Sequence, residues 1–236
     1  MKTKRTRTTA KAAQPAAPSR RRILLVDDHP FMRAGLAALI DRQADLMVGG
    51  EAGNPAEAFA LLERTGADLV LTDLTMPGRS GLEFIKDLRA ARPDLAILVV
   101  SMHDEVVFAE RALRAGARGY IMKEAGGENL LAALRRVLSG EVYLSARMSA
   151  RILEGLSVRR PRGSQSPIER LTDREFEVFQ LIGQGKSTRD IAGQLHLSPK
   201  TVDVHRSHLK EKLGLRDATA LIRHAVRWVE TQGGGA

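Results

Sequence analysis

From Ile23 onward, short apolar runs of four to six residues alternate with longer segments of helical period, and past about residue 167 only the helical period remains. Runs with few charges between amphipathic segments predict a parallel sheet covered by helices on both faces. The predicted strands are Ile23–Val26, Leu46–Glu51, Leu69–Thr72, Ile97–Val100 and Gly119–Met122. Between the first two, Phe31, Leu36, Leu39 and Ile40 form one apolar stripe of a helix. The next helix opens on Asn54-Pro55-Ala56-Glu57, which places a capping side chain, a proline at N1 and a carboxylate at N3. Three more helices are predicted over Leu82–Ala91, Glu105–Ala115 and Glu128–Ser139.

The alternation stops near Ser139-Gly140. Met148–Leu156 reads as a short helix, and the Arg-, Pro- and Gly-containing stretch 157–167 reads as a flexible linker. Four helices follow. Thr172-Asp173-Arg174-Glu175 is a capping box, Ser187-Thr188-Arg189-Asp190 imitates one with Asp, Ser198-Pro199 sets a third start, and Asp217 caps a last helix reaching about Glu230. The expected division is therefore 1–22 tail, 23–141 α/β domain, 142–166 linker with a short helix, 167–232 helical domain and 233–236 tail.

Composition narrows the chemistry. With no cysteine among 236 residues, disulfides, thiolate nucleophiles, zinc fingers and iron–sulfur clusters are excluded. No apolar stretch is long enough to span a bilayer and no secretory signal pattern follows Met1, so a cytoplasmic, non-membrane protein is expected. The net charge of +9 is unevenly spread. Residues 1–22 carry eight Lys/Arg and no acid, whereas 23–141 carry eighteen acids against thirteen Lys/Arg, a local charge of −5. The basic tail lacks apolar residues to repay the entropy of ordering and is expected to be disordered; its composition also suits a transit peptide or a nucleic-acid arm.

In an open parallel sheet, ligands sit beyond the carboxyl ends of the strands. There the sequence places Asp27 and Asp28, Asp73, Ser101 and Lys123 after strands one, three, four and five. Three converging carboxylates repel unless a cation neutralises them, and an all-oxygen set favours Mg²⁺ over zinc. A carboxylate beside such a cation and a lysine is arranged to accept a phosphoryl group. His29 and His103 lie nearby and are expected to face solvent or to support the site from behind.

The set Asp27-Asp28, Asp73 within Thr72-Asp73-Leu74-Thr75-Met76-Pro77-Gly78, Ser101, Tyr120 and Lys123 resembles the receiver domain of bacterial two-component response regulators over roughly 23–140. The resemblance implies a flavodoxin-like, doubly wound five-stranded fold with Asp73 as phosphoacceptor. It implies Mg²⁺ held by Asp28, Asp73 and the Thr75 carbonyl, with Asp27 acting through metal-bound water. Lys123 would bind the phosphoryl group, Ser101 would swing to it, and Tyr120 would turn inward into the vacated space. One departure is Glu124, where many receivers have proline after the lysine.

In the helical domain the tight His196-Leu197-Ser198 connection joins helices 188–195 and 199–213, a helix-turn-helix with Leu197 filling the turn. Val202, Leu209 and Leu213 should face inward, leaving Lys200, Thr201, Val204, Ser207 and Lys210 mainly exposed for the DNA major groove. The segment Leu171-Thr172-Asp173-Arg174-Glu175 through Lys212-Leu213-Gly214 resembles a LuxR-type DNA-binding domain; with the receiver it resembles the NarL/FixJ subfamily. Thr188 stands where that family often has Asn, and Asp203 where some members have a DNA-contacting Lys.

The last helix carries Leu221, Ile222, Ala225, Val226 and Val229 on one stripe, part of which was expected to form a dimer seam. The reading is a transcription regulator, not an enzyme, phosphorylated on Asp73 by a sensor histidine kinase to control homodimerisation and promoter binding. In the resting chain the acidic domain is expected to lie over the positive linker and helix-turn-helix. The alternative is a phosphorylation-independent regulator whose receiver serves as a ligand or protein-contact module. A phosphohydrolase is disfavoured, because Thr75 offers no general acid two residues after Asp73.

Overall fold

The computed structural model describes residues 20–76, 80–157 and 167–233. The expectations for the tail before Arg20, for linker residues 158–166 and for the end beyond Gly233 lie outside the described residues. Five parallel strands, β1 (Arg21–Val26), β2 (Leu46–Ala52), β3 (Leu69–Thr72), β4 (Ala96–Ser101) and β5 (Gly119–Met122), form one sheet in the order β2-β1-β3-β4-β5. Helices α1 (Pro30–Asp41), α2 (Pro55–Thr65), α3 (Gly81–Ala91), α4 (Glu105–Ala115) and α5 (Gly127–Leu138) connect or follow them. The doubly wound α/β fold expected from the alternation is therefore present.

Alternate residues of each strand feed two apolar layers. Ile23, Leu25, Leu69, Leu71 and Leu98 pack with Leu36, Ile40 and Leu134 on the α1 and α5 side, while Leu24, Val26, Val70 and Val99 pack with Leu62, Phe84 and Phe108 on the other. Gly81 opens α3 where a Cβ would stand 2.3 Å from the Leu74 carbonyl oxygen, so only glycine lets this helix start directly under the β3 end.

Two boundaries differ from expectation. Arg20–Arg22 are not tail: Arg21 and Arg22 begin β1, and the Arg20 guanidinium donates to the Leu46, Asp41 and Gln43 carbonyls. Polar side chains at the strand entrance hid this start from an apolar pattern. Gly233 likewise still belongs to the last helix.

After α5 the chain runs beside β5, where the Tyr143 amide donates to the Arg118 carbonyl and the Tyr143 carbonyl accepts from the Tyr120 amide. Helix α6 (Ala146–Ser157) then packs along α4, with Met148 buried. A 3-10 turn at Pro167–Arg170 leads into α7 (Asp173–Gly183), α8 (Thr188–Gln194), α9 (Pro199–Leu213) and α10 (Ala218–Gly233). The Thr172 and Ser187 capping boxes and the Ser198 cap form as the sequence predicts. His196 carries a positive φ of 53° in the α8–α9 connection, and the Leu197 amide donates to the Ala192 carbonyl.

The dimer-seam expectation needs correction at two positions. Leu221 and Ala225 are fully buried in the helical domain's own core, and α10 lies so close to α7 that a Cβ on Gly183 would stand 2.5 Å from the Ala225 carbonyl. A stripe on one helix does not reveal whether its partner is internal or external; here α7 is the partner. Val226 and Val229 are half-buried, and Ile222 is exposed.

Candidate functional site

At the carboxyl ends of β1, β3 and β5 the fold brings Asp27, Asp73 and Lys123 together. The Lys123 ammonium donates to Asp27 Oδ2 at 2.7 Å and Asp73 Oδ2 at 2.8 Å, and all three side chains are nearly enclosed. The other Asp73 oxygen, Oδ1, accepts from the Leu74 amide at 2.6 Å and the Thr75 amide at 3.3 Å. One face of the carboxylate is thus fixed by backbone and the other by an ammonium. Burial pushes the Asp73 carboxyl above its usual range, with Lys123 opposing and Asp27 adding to the rise. Lys123 itself is held above its usual value because Asp73 and Asp27 outweigh its loss of water.

Ligand atoms of Asp27, Asp28, His29 and Asp73 lie within 4.8 Å of one another. Asp28 Oδ1 is buried without a hydrogen bond; the His29 Nδ1 atom lies 2.8 Å away but not in hydrogen-bonding geometry. Three carboxylates against one ammonium, one carboxylate oxygen lacking a donor, fit a hard divalent cation bound through oxygen. His29 is largely exposed and borders this cluster as expected, its amide donating to Asp27 Oδ1 and its ring lying 3.2 Å from the same atom. Thr75 lines the same open pocket of about 440 Å³ as Asp73, Lys123 and His103.

Ser101 is fully buried at the end of β4, and its Oγ accepts from the His103 amide at 3.2 Å. Tyr120 is not waiting outside to turn in: its side chain is already fully buried, and its hydroxyl donates to the His103 carbonyl at 2.7 Å and also bonds Ser101. Burial raises the phenol well above its usual value. The His103 ring meets Thr75 Oγ1 at 2.6 Å and burial holds the imidazole below its usual value, so of the two expected placements it takes the one that supports the site from behind.

On α9, Val202 and Leu209 are buried, and Lys200, Val204 and Ser207 are exposed as the helical pattern requires. Thr201 and Lys210 are half-buried. The Thr201 hydroxyl is engaged with Ser198 at the helix start, and the Ser207 hydroxyl donates to the Asp203 carbonyl. Arg206 supports the helix from below by donating to Thr188 Oγ1.

The two domains are in contact, as the charge asymmetry suggested, but through residues that it did not single out. Arg111 on α4 donates to the Leu171 and Ile168 carbonyls and to Asp173, and its guanidinium stands 3.9 Å over the Phe176 ring. Lys86 on α3 reaches Asp173 at 2.7 Å, and Ser80 donates to Glu177 at 2.7 Å. In these two ion pairs the acidic domain supplies the cation, opposite to the polarity its net charge implied. Phe108 meets Phe176 edge to face at 5.4 Å, joining the two hydrophobic cores. Leu74, Thr75, His103 and Phe108 share a water-sized cavity of about 20 Å³ with Arg174, Glu177, Gln180 and Gln194.

Comparison with known proteins agrees with this geometry. Residues 23–135 match the response regulator receiver domain family, and residues 169–225 match the luxR family of bacterial regulatory proteins. The chain is 37% identical over 201 residues to the transcriptional regulatory protein UhpA of Escherichia coli, covering 85% of this chain and 95% of UhpA. It is 33% identical over 210 residues to the oxygen regulatory protein NreC of Staphylococcus aureus, covering 87% and 97% of the two chains. Among solved structures, RcsB from Salmonella enterica serovar Typhimurium, bound to promoter rprA with the phosphomimetic BeF3−, superposes with a TM-score of 0.60 at 26% identity, covering 88% of this chain and 98% of that one. Among the described residues, no helix is long and apolar enough to cross a membrane.

Proposed function

The chain belongs to the NarL/FixJ subfamily of DNA-binding two-component response regulators, and from that premise we propose that a sensor histidine kinase phosphorylates Asp73 to control dimerisation and promoter binding. The observation that carries this reading is the single ammonium of Lys123 shared between Asp27 and Asp73 at the strand ends.

The P–N bond of a phosphohistidine donor breaks as a bond forms between phosphorus and an Asp73 carboxylate oxygen. The Leu74 and Thr75 amides hold the carboxylate in one orientation for that displacement. Lys123 is placed to neutralise charge on the transferring phosphoryl oxygens, and Ser101 is within the same strand-end cluster to donate its hydroxyl to one of them. Asp27, Asp28 and Asp73 with the Thr75 carbonyl would hold Mg²⁺, which when bound supplies further charge neutralisation.

The docked helical domain gives this event something to act upon. The reading face of α9 stays largely exposed, so the docking restrains the domain rather than masking Lys200, Val204 and Ser207. Release from α3 and α4 frees two copies to meet on DNA, with Ile222 the exposed apolar residue of the α10 stripe. Because the target is DNA, the site of action is the cytoplasm.

Labelling with acetyl phosphate and Mg²⁺, run beside Asp73→Ala, tests the proposal. Label should appear only in the native chain, and beryllofluoride should tighten binding to DNA that the protein itself selects from a random-sequence pool. DNA binding indifferent to bound beryllofluoride would instead favour a receiver that works as a ligand or protein-contact module.

A further inference from the structure

His103 occupies a position that the phosphoacceptor chemistry does not use. Its backbone amide donates to Ser101 Oγ, its carbonyl accepts from the Tyr120 hydroxyl, and its ring is bonded to Thr75 Oγ1. One residue thus joins both groups expected to rearrange on phosphorylation. The same ring lies 4.6 Å from Phe108 with an interplanar angle of 32°. Phe108 meets Phe176 of the helical domain, and Phe176 meets Trp228 on α10 at 5.5 Å. Rings in contact therefore run from the phosphoacceptor pocket into the DNA-binding domain without a break. Tyr120 meets this path at the His103 carbonyl.

We infer that His103 is the positioning residue that couples the state of Asp73 to the docking of the helical domain, by holding Phe108 against Phe176. The inference rests on the phosphorylation reading above. To donate its hydroxyl to a phosphoryl oxygen Ser101 must swing, and that rotation carries Oγ away from the His103 amide. The amide then loses a buried acceptor, which is costly enough to move its loop rather than leave it unpaired. Tyr120 holds the carbonyl of the same residue, so its hydroxyl follows that carbonyl. The imidazole cannot keep both Thr75 Oγ1 and the Phe108 face once its backbone shifts. Phe108 loses the His103 ring as a neighbour, and the ring contact that unites the two cores loosens. This is a physical path through an element with two arrangements rather than an argument from proximity.

The chain contains one tryptophan, Trp228, at the far end of the ring series, which makes its emission a direct report of docking. The experiment is a beryllofluoride and Mg²⁺ titration of the full chain, with fluorine NMR reporting occupancy of the Asp73 pocket and Trp228 emission reporting docking. The native protein should bind beryllofluoride and shift its emission to the red. His103→Asn and His103→Ala should still bind beryllofluoride while the emission response is lost. His103→Phe keeps the ring contact with Phe108 without the Thr75 bond, and its response should be largely restored, whereas a role confined to the Thr75 hydrogen bond would be rescued by Asn rather than by Phe. Occupancy with a native-sized shift in His103→Ala and His103→Asn would overturn the inference. Occupancy with no shift in the native chain would overturn the phosphorylation reading itself, and the coupling with it.

Discussion

The receiver pocket and the reading helix are both polar, yet they are built on opposite principles. In the pocket each charge is held by the others: Lys123 is nine-tenths or more enclosed and spans two carboxylates, and Asp73 is fixed on its far side by two amides. On α9 the side chains offered to DNA stand in water, with Lys200, Val204 and Ser207 exposed. Groups locked in a buried network respond as a unit, whereas solvated groups act one by one. A charge-sensing site needs the first arrangement, because a single added phosphoryl group must disturb everything around it. A surface that reads many phosphates and bases needs the second.

Substitutions can break that contrast. The largest effect is expected from Lys123→Met, which leaves Asp27 and Asp73 facing each other unpaired. Breaking a buried ion pair in this way costs about 3–5 kcal/mol, read as a lower urea midpoint. In an Asp27→Asn background the same change should cost clearly less, and simple additivity of the two would show that the pocket is not a network.

Next comes the junction between the two regions. Arg111→Ala removes charge-assisted hydrogen bonds and the contact over Phe176, together worth about 2 kcal/mol, or roughly 30-fold in the docking equilibrium. Trp228 emission should shift toward the exposed value without phosphorylation, and basal DNA affinity should rise. Unchanged emission would mean that the ring contacts alone hold the domains.

A smaller effect is expected from pH. Burial holds the Glu177 carboxyl above its usual value of 4.5, against Arg174 and Ser80 and with Asp173 adding to the rise. The docked state therefore binds this proton more tightly than an opened one. Its contribution to docking is full below 4.5 and is lost as pH rises through the docked value. Docking followed by Trp228 emission should loosen over that window, and Glu177→Gln should flatten the profile.

The smallest change belongs to the exposed helix. Lys200→Ala should weaken DNA binding across all sequences alike and reduce the slope of affinity against salt by about 1. Combined with Lys210→Ala its effect should simply add; a strong departure would show that the reading helix is more tightly coupled than its exposure implies.

How much of this was legible beforehand follows from the same contrast. The pocket could be read because each strand is a short apolar run that ends on a polar residue, so Asp27, Asp73, Ser101 and Lys123 announce a common edge. The caps at Thr172, Ser187 and Ser198 were legible for a similar reason, being local patterns that bond within three residues. The residues that make the junction were not, although a contact between the domains was expected. Phe108 and Phe176 read as ordinary core residues of separate helices, and Arg111 as one more surface cation, because nothing local marks a contact some sixty residues away. Net charge misled for a related reason: a total of −5 sums all faces of the receiver, while docking uses one face that presents Lys86 and Arg111. His103 could be placed near the site, but the two backbone atoms through which it meets Ser101 and Tyr120 carry no sequence signal.

The anchoring of α6 beside α4 leaves only the stretch between Ser157 and Pro167 to tether the helical domain. Fully extended, that stretch spans at most about 35 Å. A domain leashed so closely meets its receiver at an effective concentration on the order of millimolar. Even a feeble intrinsic affinity then keeps the molecule closed, and the balance between closed and open forms does not depend on how many copies the cell contains. Pairing on DNA does depend on copy number. Protein abundance can therefore set how much phosphorylation is needed to occupy a promoter while leaving the silent state of each molecule unchanged.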